Sequence, residues 1–413
     1  MRLITVSLLI LYCFAVPWED SLDLGEPLGN IARILGVAML LAVVPMVAMV
    51  RRMRAPGTLQ WLVLALYLYF ACSYLWTVDQ IATLEKIRAY AQVMMVVWIA
   101  WEVVTTPLEL RWMMRAFVVG CWVLAVLTLA NFGSAGLDTG SAGGALAAQQ
   151  IRFAAEGQDP NDVARLLDLG FPLAALLFAT EDGWLMRVVA IGYVPVGLTA
   201  VVLTASRGGF LAALVALLGV AVLLVSWRPR AASVVFAGLA ITAAVLLLLT
   251  PAGSLERLAT IPSEVGGGDL NDRVGIWAAG WRAFARAPWF GYGAGTYVAA
   301  ARLSSGDTAH NTVLAVLVMG GLAGLAIFFS GIVETVRAVW RTAGLLKIAL
   351  GGTMAVWLLT SMVGSVEEKR TTWLLFVMMV IAGRLAVEEP RWLAWTFAGR
   401  ESAEPSAELV AVR

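Results

Sequence analysis

Residues 204–227 read TASRGGFLAALVALLGVAVLLVSW, a short polar turn running directly into an apolar stretch. From Gly209 to Trp227 there is no charge, and Ser226 is the one polar side chain. As a helix, such a run covers roughly 28 Å, close to the hydrocarbon thickness of a bilayer, about 30 Å. The apolar positions are continuous and do not alternate, which excludes a β-barrel. The same texture extends along all 413 residues, 61% hydrophobic and 14% charged, with a mean hydropathy of +0.84. Soluble domains are about half apolar and a quarter charged, so a large soluble core and a disordered chain are both excluded. The expected fold is an all-α polytopic membrane protein.

Runs long enough to span number about twelve: 2–18, 30–50, 58–76, 86–104, 112–132, 162–180, 185–204, 209–227, 231–250, 310–332, 345–364 and 371–387. The first lacks a small-x-small cleavage site before Pro17-Trp18-Glu19-Asp20 and reads as an anchor, not a signal peptide. Basic residues cluster after even-numbered runs: Arg51, Arg52 and Arg54, then Arg111 and Arg115, Arg187, Arg228 and Arg230, and Arg337 and Arg341. By the positive-inside rule those exits and both termini face the cytoplasm. Segments 134–161 and 251–309 become long outer connections. The organisation expected is helices 1–9 over 1–250, an outer loop with short helices over 251–309 between helices 9 and 10, helices 10–12 over 310–387, and a polar cytoplasmic tail over 388–413. No internal repeat of the transporter kind appears. Within the outer loop, Asp272 is expected to cap a helix that ends before Pro288. Ile276, Trp277, Trp281 and Phe284 would lay that helix on the membrane surface, and Gly291-Tyr292-Gly293-Ala294-Gly295 turns the chain back.

The net charge of +1 gives no field for nucleic acid. Cys13, Cys72 and Cys121 sit in apolar runs without disulfide or zinc spacing. The informative cations lie on the outer side: Arg207 in a turn too short to leave the membrane surface, and Arg273 and Arg282 in the long loop. A charge at that depth is costly unless paired or solvated. Converging arginines beside Gly208 and Gly209 suit a polyanion such as a diphosphate. The alternative is pairing of Arg207 and Arg273 with outer carboxylates such as Asp159 or Asp272; Arg257, Arg286 and Arg302 are expected to be structural. His310 is the single histidine, at the start of run 10, and is the one side chain that accepts a proton near neutrality without tuning. No metal cluster, P-loop or nucleophile elbow is apparent. Asp269-Leu270-Asn271-Asp272 offers only weak hard-cation ligation, so no metal and no cofactor are expected.

The chain resembles the O-antigen ligase/polymerase family, most closely its ligases. The resemblance rests on Pro160-Asn161-Asp162, Leu203-Thr204-Ala205-Ser206-Arg207-Gly208-Gly209, Arg273-Val274-Gly275-Ile276-Trp277, Pro288-Trp289-Phe290-Gly291-Tyr292-Gly293, His310-Asn311-Thr312-Val313-Leu314 and Gly320-Gly321-Leu322-Ala323-Gly324. Val16-Pro17-Trp18-Glu19 is similar to the family's first outer turn. The resemblance implies a GT-C-like glycosyltransferase of the bacterial inner membrane, working at the periplasmic face without metal or nucleotide. Its donor would be an O-antigen on undecaprenyl diphosphate, and its acceptor the lipid A–core oligosaccharide. Arg207, Arg273 and His310 match the family's essential residues. Arg282, Asn311, Asn161, Lys369 and Arg370 are the accessory substrate-binding candidates. A polysaccharide polymerase or protein O-oligosaccharyltransferase shares these motifs, and a glycan transporter is the third reading.

Overall fold

The computed structural model describes residues 2–22, 24–25, 29–50, 53–137, 152–268, 272–304 and 307–397. Each of the twelve apolar runs is a helix: α1 (Arg2–Ala15), α2 (Ile31–Val50), α3 (Thr58–Cys72), α4 (Gln80–Val103), α5 (Pro107–Leu137), α6 (Pro160–Thr180), α7 (Trp184–Leu203), α8 (Arg207–Trp227), α9 (Pro229–Leu249), then α14 (Thr312–Arg341), α15 (Gly344–Ser361) and α16 (Arg370–Glu388). Between α9 and α14 lie the short helices α10 (Ala252–Ala259), α11 (Ile261–Val265), α12 (Arg273–Arg286) and α13 (Tyr297–Ala301), and α17 (Pro390–Thr396) follows α16. Among the described residues, 10 helical segments are long and apolar enough to cross a membrane, and the chain is a multi-pass membrane protein. Of the twelve expected spans, α4 does not meet that standard, and the side chains of α9 are described only in part. In α4 the reason is charge: Glu85, Lys86, Arg88 and Glu102 interrupt it, and Lys86 is held by Glu368 at 2.6 Å.

Two further expectations need correction. Run 5, expected to begin at 112, begins at Pro107, so that Arg111 joins Arg115 inside α5, and Arg115 Nη2 pairs with Glu181 at 2.5 Å. Run 10, expected to stop at 332, continues to Arg341, because Glu334 is buried within the helix and paired with Arg341 at 3.2 Å. Hydropathy ends a run at the first charges, whereas a helix continues where those charges find partners. Arg51, Arg52, the segment 138–151, Asp269 to Asn271 and the tail beyond 397 lie outside the described residues.

Helix α6 is the centre of the bundle, with 94% of its apolar window buried; it packs on α5, α7, α8 and α15. Its partner in the other half is α14, which packs on α3, α12, α15 and α16. Helix α14 is broken at Gly321, where φ is 61° and ψ −163°. The loop after α12 repairs the break. The Tyr292 and Gly293 amides donate to the carbonyls of Val318 (3.0 Å) and Met319 (2.9 Å), and Leu322 and Ala323 donate to Pro288 O (2.8 Å) and Trp289 O (3.1 Å). Orphaned backbone groups of a broken helix are thereby satisfied inside the protein, as burial requires. The approach is backbone to backbone, so a Cβ on Gly291 or Gly321 would overlap Met319 or Trp289.

Gly291→Ala and Gly321→Ala should therefore each destabilise the protein, by at least about 1–3 kcal/mol from the positive φ alone, with overlap adding to this. Gly275→Ala in α12 meets nothing within 4 Å, and should leave stability equal or higher. Thermal unfolding midpoints in detergent check this; equal midpoints for all three would contradict it.

Candidate functional site

The starts of α6, α8, α14 and α16 meet at the end of the bundle that carries residues 204–206, the expected outer end. Three of these starts have side-chain caps. Asp159 Oδ1 accepts from the Asn161 amide (2.7 Å), Ser206 Oγ from the Gly209 amide (3.2 Å) and Asn311 Oδ1 from the Leu314 amide (2.9 Å). The starts are also tied together. Ser206 Oγ donates to Asn161 Oδ1 (2.9 Å) and Lys369 Nζ to Asp162 Oδ2 (2.9 Å), while Asn311 Nδ2 ties the start of α14 to the end of α15 at Met362 O (3.2 Å). Grouped helix N-termini present partial positive charge and favour anions.

Arginines gather at the same place for a complementary reason. Ala205 takes a φ of 47° in the α7–α8 turn, and this short turn exposes the last carbonyls of α7, the negative end of that helix. Arg152 Nε donates to Thr204 O (3.1 Å) and Arg257 Nε to Ala205 O (3.2 Å). Arg152 Nη2 also reaches Asn161 Oδ1 (2.8 Å), and Arg207 Nε donates to Arg257 O (3.3 Å). Arg207 Nη1 pairs with Glu264 Oε1 at 2.9 Å. Arg207, Arg257, Glu264, Arg273 and Trp277 line one cavity of ≈ 210 Å³.

Arg273 is the first residue of α12, and its guanidinium forms no hydrogen bond or ion pair with the described residues. Asp272 precedes it with φ 61° and no side-chain capping bond, contrary to the expected cap; the helix does end before Pro288, at Arg286. Burial lowers the pKa of Arg273; Asp159 opposes that, and Arg207 and Arg257 add to it. Arg152 and Arg257 are lowered likewise, by burial first and by neighbouring guanidinium groups. All remain cationic near neutrality, since arginine starts so high.

Trp277, one turn along α12, donates from Nε1 to Ala309 O (3.0 Å) and so holds α12 against the residue before His310. His310 is half-buried with φ 46°. Its pKa is lowered, by burial first and then by Arg273, against the pull of Asp159, Asp307 and Asp162. The imidazole is thus neutral at neutral pH and able to accept a proton.

The structure brings together Arg207, Arg273, His310, Asn161 and Asn311, with Lys369 at the edge through Asp162. It does not bring in the other two candidates. Arg282 lies nine residues beyond Arg273, about two and a half turns, and is exposed on the opposite face of α12. Arg370 is turned into the bundle, bonded to Glu19, Asn30 Oδ1 (3.3 Å) and Gln92 Oε1 (2.6 Å). Arg257 also lines the cavity, while its Nε bond to Ala205 O fits the structural role expected for it. Arg152 and Glu264 are additions that no sequence motif marks. The expected surface helix is also divided: Trp281 is 54% exposed, whereas Ile276, Trp277 and Phe284 pack on the core. Among the described residues, no three of His, Cys, Asp and Glu gather as metal ligands.

Residues 193–329 match the family described as O-Antigen ligase. The matched segment runs from α7 to α14 and contains Arg207, Arg257, Glu264, Arg273 and His310. It supports the O-antigen ligase/polymerase family broadly, and with it a glycosyltransferase-like enzyme. No curated protein matches the chain.

Because His310 is the only histidine, its titration can be followed by histidine-selective NMR labelling. It should titrate below the ordinary histidine value. Arg273→Gln should move it upward without fully restoring that value, since burial is the larger cause. A titration unmoved or lowered by Arg273→Gln would contradict the electrostatic coupling.

Proposed function

We propose that this chain is an O-antigen ligase, a metal-independent inverting glycosyltransferase of the bacterial inner membrane. In this reading it transfers a glycan from undecaprenyl diphosphate to a sugar hydroxyl of the lipid A–core oligosaccharide, at the periplasmic face. The observation that carries the reading is the convergence of Arg207, Arg257 and Arg273 on one cavity, with a neutral His310 in the field of Arg273. The family match over residues 193–329 supports it.

The chemistry follows from charge. Breaking the glycosidic bond leaves a further negative charge on the diphosphate. Preorganised guanidinium groups in a partly dry site stabilise that charge where it develops. The acceptor hydroxyl attacks the anomeric carbon from the opposite face, and His310 takes its proton. Arg273 serves both ends: it binds the departing diphosphate and keeps the imidazole neutral. A polymerase or protein O-oligosaccharyltransferase would use the same donor machinery with another acceptor, so acceptor choice separates these readings.

The test is transfer by the purified protein from lipid-linked O-antigen to lipid A–core. Arg207→Ala and Arg273→Ala should abolish transfer, and lysine should rescue poorly because it lacks the planar fork. His310→Ala should lose about 10²–10⁴-fold while still binding donor. The wild-type rate should fall on the acid side as imidazole is protonated, and EDTA should leave transfer intact. Transfer to a second lipid-linked glycan or to a protein, and not to lipid A–core, would overturn the ligase assignment. Weakened donor binding in His310→Ala, with wild-type transfer rising toward low pH, would instead give His310 a phosphate-holding role.

Sidedness is tested separately. In a cysteine-free background, a cysteine at the exposed Ser263 should be labelled by an impermeant reagent in cells whose outer membrane alone is permeabilised. Labelling only after inner-membrane lysis would reverse the topology.

A further inference from the structure

Glu264 weakens the site that it lines. Its carboxylate sits 2.9 Å from the guanidinium of Arg207, with both side chains 19% exposed, and its field reaches Arg257 as well. The pair is therefore shielded from water, and any anion drawn to Arg207 must displace a charge already bound there. The position is built into the backbone. The Glu264 amide donates to Thr260 O (3.0 Å), and the Gly268 amide donates to Glu264 O (3.1 Å). A Cβ on Gly268 would come within 2.5 Å of Glu264 Oε2, so glycine there leaves the carboxylate room to face Arg207.

The reaction proposed above explains what such a competitor does. The donor diphosphate is esterified at both ends. The product, released from its glycan, ends in a free phosphate and carries more negative charge. A cluster of arginines that stabilises the departing charge must also hold the product more tightly than the donor, and release then limits turnover. We propose that Glu264 is a resident counter-ion that retakes Arg207 after transfer and expels the lipid diphosphate product. This rests on the ligase-type reading of the site. No bond is made or broken in the step; one anion replaces another on the same guanidinium.

The test uses the full-length protein in detergent, with inorganic pyrophosphate as probe and calorimetry as readout. Glu264→Gln should bind pyrophosphate about tenfold more tightly than wild type. The tightening should vanish in an Arg207→Ala background, which a general loosening of the fold would not produce. Gly268→Ala, which keeps the carboxylate but crowds it, should move affinity in the same direction. In transfer assays, Glu264→Gln should show a first turnover at least as fast as wild type, followed by a steady state about tenfold slower. Undecaprenyl diphosphate should inhibit that variant at about tenfold lower concentration. Pyrophosphate affinity equal to or weaker than wild type in both variants, or equal tightening without Arg207, would overturn the proposal. A wild-type protein that transfers no glycan, while Glu264→Gln still tightens pyrophosphate through Arg207, would refute the ligase reading and support the counter-ion.

Discussion

The exchange of backbone hydrogen bonds between the Pro288–Gly293 loop and the break in α14 at Gly321 is the joint on which the rest depends. A membrane helix broken without repair would leave amides and carbonyls unpaired, each at a cost of several kcal/mol. Here the loop supplies both the donors and the acceptors. The repair anchors the C-terminal side of α12, and the Trp277–Ala309 bond anchors its N-terminal side. With both sides held, Arg273 is delivered to the cavity already lined by Arg207, and His310 lies within its field.

The site also reconciles two opposed fields. The starts of α6, α8 and α14 offer positive partial charge, while the end of α7 offers carbonyls at the same place. Arg152 and Arg257 satisfy those carbonyls through Nε. The result is a concentration of cations at the membrane boundary, balanced by Asp159 and Glu264. Such a cluster is costly where water is sparse: burial first, and neighbouring guanidinium groups next, depress the pKa of Arg152, Arg257 and Arg273. A multiply charged anion would remove that cost. Burial, and after it the field of Arg273, lowers the pKa of His310 beside the same cluster.

Much of the fold was legible because the bilayer imposes a simple rule on composition. Each apolar run became a helix, and the tight turn at 204–206 could be read from the absence of any spacer. The reading failed where charge was internal. Arg111, Arg115, Glu334 and the charges of α4 are paired within the bundle, and hydropathy has no means of recognising a partner distant in sequence. His310 stood out as a candidate because it is the single histidine, and Arg207 and Arg273 because cations on the expected outer side break the positive-inside pattern. Arg282 breaks it equally, yet faces away, since two and a half helical turns reverse a side chain's direction.

By itself, the sequence determined that this chain is a bundle of apolar helices with cationic residues and one histidine displaced to a single end. Transfer free energy of side chains into hydrocarbon is a local, additive property, and can be summed along a chain. Tertiary structure alone decided which cations share a cavity: that Arg257 and Arg152 join it, that Arg370 is taken by Glu19 and Gln92, and that Glu264 is the carboxylate set against Arg207. Electrostatic pairing depends on distances of a few ångströms between residues tens or hundreds of positions apart, and those distances exist only once the helices have packed.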